Sequence, residues 1–209
     1  MILGLRTYLW DIWSKKLNLE ELKKQFENCQ ECSLCEYRKS IVFGEGNDNP
    51  SIVIIGEAPG EEEDIHGLPF WPKAPSGNKL DKILSFLEIS RKDIYILNSV
   101  LCRPPNNRQP TIEEIKSCNW RLREQINILN PKLIIALGKT AITSLIGDEF
   151  KGPLNQFFSD DKFLEFIINN KKYQVMVSYH PSYLLRRSDS YDIVLPHWEL
   201  VKRWLHEQN

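Results

Sequence analysis

The chain has 209 residues, enough for one domain with a substantial buried core. Hydrophobic residues make up 42% and charged residues 26%, with no low-complexity tract, which excludes a disordered or fibrous protein. A net charge of −1 requires any nucleic-acid-binding surface to be local, and no apolar run approaches the ~20 residues that span a bilayer.

The stretch from Met1 to Trp10 is apolar, but Arg6 and Asp11 interrupt it and no small-residue cleavage site follows. It does not read as a signal peptide, so a cytoplasmic protein with reduced thiols is expected. Residues 1–28 read as a helical extension and 29–209 as the core of a single domain. Leucines 17, 19 and 22 with Phe26 predict a helix that ends in Asn28-Cys29-Gln30-Glu31-Cys32-Ser33-Leu34-Cys35. Ser51 to Ile55 is an apolar, β-branched run, expected as a strand buried on both faces. Gly56 breaks it, and Glu57 to Gly60 form a tight loop at its carboxyl end.

A helix is expected from Asn78 to Glu88 and a second strand from Asp93 to Leu101. The prolines of Cys102 to Pro110 make that segment a loop. Thr111-Ile-Glu-Glu114 is a capping box that opens a helix to about Leu129, stopped by Asn130-Pro131. A third strand, Lys132 to Leu137, turns at Gly138 into a helix from Lys139 to Ile146. Phe163–Ile168 and Tyr173–Ser178 flank Asn169-Asn170-Lys171-Lys172 as a hairpin whose second arm ends at Tyr179-His180-Pro181. The last helix, about Tyr191 to His206, places Val194, Trp198, Val201 and Leu205 on one face.

Strands alternating with helices predict an α/β fold: a central, mostly parallel sheet of about four strands, flanked by helices on both sides. Glu57, Asn98, Gly138 and His180 lie at or near the carboxyl ends of four successive strands. In a parallel sheet those ends share one edge, where ligands of open α/β sheets bind. Gly138-Lys139-Thr140 after a strand mimics the end of a phosphate-binding loop, but Leu133 stands where its first glycine must be, which excludes that reading.

Of five cysteines, Cys29 and Cys32 are separated by two residues, and Cys102 and Cys118 by fifteen. Two such pairs can close on one tetrahedral site, for which zinc and an iron–sulfur cluster are both suitable. A redox pair at Cys29–Cys32 is disfavoured because the motif follows a helix, whereas a thioredoxin-like pair follows a strand. Cys35 is left over as a packed thiol.

From about Cys29 to Arg186 the chain resembles the iron–sulfur (family 4) uracil-DNA glycosylases. Six motifs occur in the family's order. The first three are Cys29-x-x-Cys32 with Val42-Phe-Gly-Glu-Gly46, then Gly56-Glu-Ala-Pro-Gly-Glu-Glu-Glu-Asp64, then Gly67-Leu-Pro-Phe70. Asn98 ahead of Cys102-Arg-Pro-Pro-Asn-Asn-Arg108 follows, with Pro131 to Gly138 and His180-Pro-Ser-Tyr-Leu-Leu-Arg186. The resemblance implies a [4Fe–4S] cluster on Cys29, Cys32, Cys102 and Cys118, with Cys35 extra. It also implies a uracil pocket from Gly56, Glu57, Ala58, Phe70, Asn98 and His180, and uracil-containing DNA, single- or double-stranded, as partner of a monomer.

The residue types suit release of uracil from deoxyribose. A histidine can donate to the oxygen that becomes negative, and losing such a donor typically costs roughly 2.7–4 kcal/mol of barrier. The Asn98 amide can pair with uracil N3–H and O4, whereas cytosine presents the opposite pattern. Phe70 offers a face for the flipped base, and Glu57 or Glu63 a carboxylate for the water, with Glu57 assigned. Leu184, in the loop after His180, is the expected wedge, with Leu185 behind it; Arg186, Arg187, Arg103 and Arg108 are placed to meet phosphates.

The segment Trp71 to Leu80 departs from the family's short Val-Gly-x-Ala-Gly run, which leaves a glycosylase of altered base specificity as an alternative. A further alternative is a non-catalytic DNA-binding module that holds zinc or a cluster through the same four cysteines.

Overall fold

The structure, a computed structural model, describes residues 17–148, 150–187 and 190–208; the amino-terminal part of the expected extension lies outside them. Its elements begin with α1 (Leu19–Phe26), β1 (Glu45–Gly46), β2 (Ile52–Gly56), α2 (Glu61–His66), α3 (Pro75–Phe86) and β3 (Tyr95–Asn98). There follow α4 (Ile112–Leu129), β4 (Leu133–Leu137), α5 (Lys139–Ile146), β5 (Leu164–Ile168), β6 (Lys171–Ser178), α6 (Pro181–Arg186) and α7 (Ser190–Gln208).

Continuous apolar runs build the middle of the sheet: β2, β3 and β4 are buried along their whole length, as strands covered on both faces must be. Strand order is β1-β3-β2-β4-β6-β5. The inner strands β3, β2, β4 and β6 are mutually parallel, while β1 and β5 add an antiparallel strand at each edge. The expected four-strand parallel sheet is thus the centre of a six-stranded one. Two residues of β1 are too few to leave a pattern, and β5 is the first arm of the expected hairpin, turned by Asn169 and Asn170 at positive φ.

Side chains alternate across the sheet. Ile52, Ile54, Ile96 and Ile135 pack with Leu80 and Leu84 of α3 and Val194 and Trp198 of α7. On the other face Val53, Ile55, Leu97 and Ile134 pack with Leu122 and Ile126 of α4 and Ala141 and Ile142 of α5. Registers level the strand ends: Gly56 is opposite Asn98, and Leu137 opposite Ser178.

Local signals set the helix limits. The Thr111–Glu114 capping box opens α4, and Asn130 in the left-handed conformation closes it. Pro75 at the first turn starts α3 earlier than its apolar spacing indicates. Gly138, at φ 91°, takes a conformation that side chains resist and carries the chain from β4 straight into α5. The segment expected to be loop after His180 is helical, because Pro181 suits the first turn and His180 caps it through its side chain. No helix of the described residues is long and apolar enough to cross a membrane.

Candidate active site

A cavity of about 610 Å³ opens at the carboxyl edge of the parallel strands, within the range of small-ligand sites. Glu57 and Ala58 line it from the loop after β2, Gly138 and Lys139 from the turn after β4, and His180 and Arg186 from the end of β6 and α6. Asn107 and Arg108 reach it from the loop that follows β3, and Glu63 from α2.

Phe70 and Asn98 are buried immediately behind this wall. The Phe70 ring lies 5.3 Å from the His180 ring at 31°, and Asn98 Nδ2 donates to Glu63 Oε2 at 3.2 Å. A Cβ on Gly56 would lie 2.3 Å from Asn98 Oδ1 and 2.7 Å from the Phe70 ring, so only glycine allows both side chains to close in. Gly56, Glu57, Ala58, Phe70, Asn98 and His180, drawn from four segments of sequence, therefore meet at one edge.

Burial holds the His180 imidazole down to about 4, and the charge of Arg186 pushes the same way. Its Nδ1 accepts from the Ser182 N–H at 3.2 Å and lies 2.9 Å from Ser182 Oγ. With Nδ1 an acceptor in a neutral ring, Nε2 carries the proton. Burial raises both nearby carboxyls. That of Glu57 rises despite a 2.7 Å hydrogen bond from Thr140 Oγ1 and the nearby Arg186 charge. That of Glu63 is pushed up to about 7, even though Asn98 Nδ2, the Phe70 and Gly60 N–H groups and Arg91 all favour its ionised form. Sequence reading missed Thr140 and Ser182 as partners; the lysine–threonine pair after Gly138 and the serine two residues after His180 were the available signals.

Phe70 adopts φ 48°, a strained conformation for a bulky side chain that typically costs about 1–3 kcal/mol. Arg91 holds it there. Its guanidinium donates to Phe70 O at 2.5 Å and Pro69 O at 3.3 Å, while Asp81 and Glu45 fix its other face at 2.7 and 2.9 Å.

The residues expected to meet DNA divide. Leu184 is 3% exposed and packs in the core with α3 and α7, so it is not placed to enter a duplex. The cause is helical geometry: in α6 the side chain at 184 turns inward and Leu185, 49% exposed, turns outward. Arg186 and Arg187 are exposed. Arg108 is not a free cation, since both its terminal nitrogens bind Glu114 at 2.8 and 2.7 Å. Arg103 spans Asn107 and Glu61 at 2.7 and 3.4 Å.

Cys29, Cys32, Cys102 and Cys118 share one apolar cluster with Leu22, Leu34, Phe43 and Val100. Burial pushes the thiols of Cys29 and Cys32 up and that of Cys102 to about 12, and neighbouring thiols push in the same direction. Among the described residues no group of three or more His, Cys, Asp or Glu converges closely enough to hold a single metal ion. Two cations attend the thiols. Arg38 Nη1 lies 3.5 Å from Cys102 Sγ. Arg121, fully buried beside Cys118, donates to Gln125 Oε1, Asn98 O and Ser99 O at 2.6, 3.1 and 2.8 Å, while its Nε has no partner. A buried guanidinium with neutral partners and an orphaned N–H requires nearby negative charge, and thiolates ligating a cluster would supply it.

The chain matches the family model "Uracil DNA glycosylase superfamily" over residues 43–205. It is 37% identical over 208 residues to a type-4 uracil-DNA glycosylase of Thermotoga maritima, covering 94% of this chain and all of that protein. Similar relatives occur in Pyrobaculum aerophilum, 39% identical over 173 residues, 82% of this chain and 86% of the relative, and in Saccharolobus solfataricus, 40% identical over 167 residues, 79% and 76%. Both also carry the name type-4 uracil-DNA glycosylase.

Proposed function

This chain belongs to the uracil-DNA glycosylase superfamily, among its type-4 members, and from that premise we propose that it hydrolyses the N-glycosidic bond of uracil in DNA. Free uracil leaves and an abasic site remains. The observation that carries the reading is a neutral His180 with Nδ1 engaged by Ser182 and Nε2–H free to donate, set beside Phe70 and Asn98 at the cavity.

As the glycosidic bond breaks, charge develops on a uracil oxygen, and a neutral imidazole donor stabilises it without delivering a full proton. Asn98 accepts from N3–H and donates to O4, and the Phe70 ring stacks on the flipped base. Glu57, held by Thr140, orients the water and offsets the cationic sugar. Leu185 takes the wedge position vacated by the buried Leu184, with Arg186 and Arg187 against phosphates.

Cys29, Cys32, Cys102 and Cys118 would hold a [4Fe–4S] cluster: the four meet in one apolar cluster, and buried Arg121 beside Cys118 suits the negative charge their thiolates would carry. Through these ligands the Cys29–Cys32 loop and the Cys102 loop would be tied to α4, so the group would serve a structural role.

The test is single-turnover release from uracil-containing single- and double-stranded oligonucleotides. His180→Ala is expected to slow release by roughly 100- to 1,000-fold with the fold intact. Wild-type protein that binds DNA but releases no uracil would leave the non-catalytic module standing instead.

A further inference from the structure

An amide that reads a base by one donor and one acceptor reads the opposite base when turned over, and nothing in the asparagine itself selects one orientation. Asn98 in this chain is not free to turn. Its Nδ2 donates to Glu63 Oε2 at 3.2 Å, both residues are buried, and Oδ1 lies on the side of Gly56. A planar amide with one N–H committed in this way keeps one acceptor and one N–H to offer a base. That pair complements uracil N3–H and O4; the flipped pair would complement cytosine N3 and its amino group.

Glu63 has a surrounding that only an acceptor satisfies. Besides Asn98, the backbone N–H groups of Phe70 and Gly60 face its carboxyl. Whichever way a glutamine turned here, its NH2 would face at least one of these N–H groups. If a glutamine at this position turned its oxygen to the backbone donors, its NH2 would meet Asn98 Nδ2, and Asn98 would relieve that clash by flipping.

We propose that Glu63 is a specificity-determining positioning residue that locks the Asn98 amide in the uracil-reading orientation. The inference rests on the glycosylase reading above and deepens it: the choice of base is made by a carboxylate on α2 rather than by the reading amide alone. The cost of facing donor with donor in a buried site sets the scale, roughly 10- to 100-fold in preference.

The experiment measures inhibition of uracil release by free uracil and free cytosine, because competition reports recognition without requiring cytosine to leave. Wild type is expected to be inhibited by uracil alone. Glu63→Gln is expected to weaken inhibition by uracil roughly 10- to 100-fold and to strengthen inhibition by cytosine. Glu63→Leu, which neither accepts nor donates, is expected to respond to both bases without inversion. Thermal melting in the same preparations follows the folded state, and Glu63→Leu provides a variant with no buried donor left facing Asn98. Weakened inhibition by uracil with no inhibition gained from cytosine, or an unchanged preference in Glu63→Gln, would overturn the inference while the glycosylase reading stands. A wild-type chain that neither releases uracil nor responds to it would remove the reading beneath.

Discussion

Burial shifts three groups at the cavity: it lowers the His180 imidazole and raises the carboxyls of Glu57 and Glu63. His180, at about 4, is neutral at any working pH, so release should show no step near the ordinary histidine value of about 6.5. Glu63, at about 7, ionises as pH rises, and only its ionised form accepts from Asn98 and both backbone donors. Arg91 is the charged group that faces it, and favours ionisation. Single-turnover release should therefore fall as pH drops through about 7. The limb should vanish in Glu63→Gln, which cannot titrate; any limb left there belongs to Glu57, whose carboxyl burial also raises. A wild-type step near 6.5 that survives in Glu63→Gln and disappears in His180→Gln would reverse the assignment.

The short helix α6 decides which leucine can touch DNA. One residue of rotation separates a core side chain from an exposed one, so the two alanine variants should fail differently. Leu184→Ala should lower stability by about 2–5 kcal/mol, the usual cost of emptying a buried leucine site, with release from single- and double-stranded DNA affected alike. Leu185→Ala should melt like wild type but lose release of paired uracil more than of single-stranded uracil. Equal losses on both substrates would discard Leu185 as wedge. A loop, as expected from the sequence, imposes no such inward and outward alternation, which is why Leu184 looked as available as Leu185.

At the scale of the whole molecule, Arg121 joins the cysteine cluster to the end of β3. Its guanidinium touches Cys118 on one side and carries the carbonyls of Asn98 and Ser99 on the other. Losing one partner of a buried charge pair typically costs about 3–5 kcal/mol. With the proposed cluster bound, Arg121→Leu should therefore destabilise the protein strongly, and cost much less after chelation, which would remove the cation's counter-charge. Melting of the four species checks this, and the same loss with and without iron would show that Arg121 does not sense the cluster.

Periodicity and punctuation within the sequence determined the alternating strands and helices, the capping box of α4, the hairpin and the sharing of one edge by Glu57, Asn98, Gly138 and His180. All are local: a buried strand needs an apolar run, a helix its cap, a tight turn its glycine or asparagine. The motif residues were legible because they sit at strand ends, where a parallel sheet leaves little choice of direction. Tertiary structure alone decided the second partners: Glu63 for Asn98, Ser182 and Thr140 for the catalytic candidates, Arg121 behind the cysteines, Arg91 behind the strained Phe70. Hydrogen-bond geometry between segments far apart in sequence depends on register and packing, which no local pattern encodes, and the inward turn of Leu184 depends on a helix only six residues long.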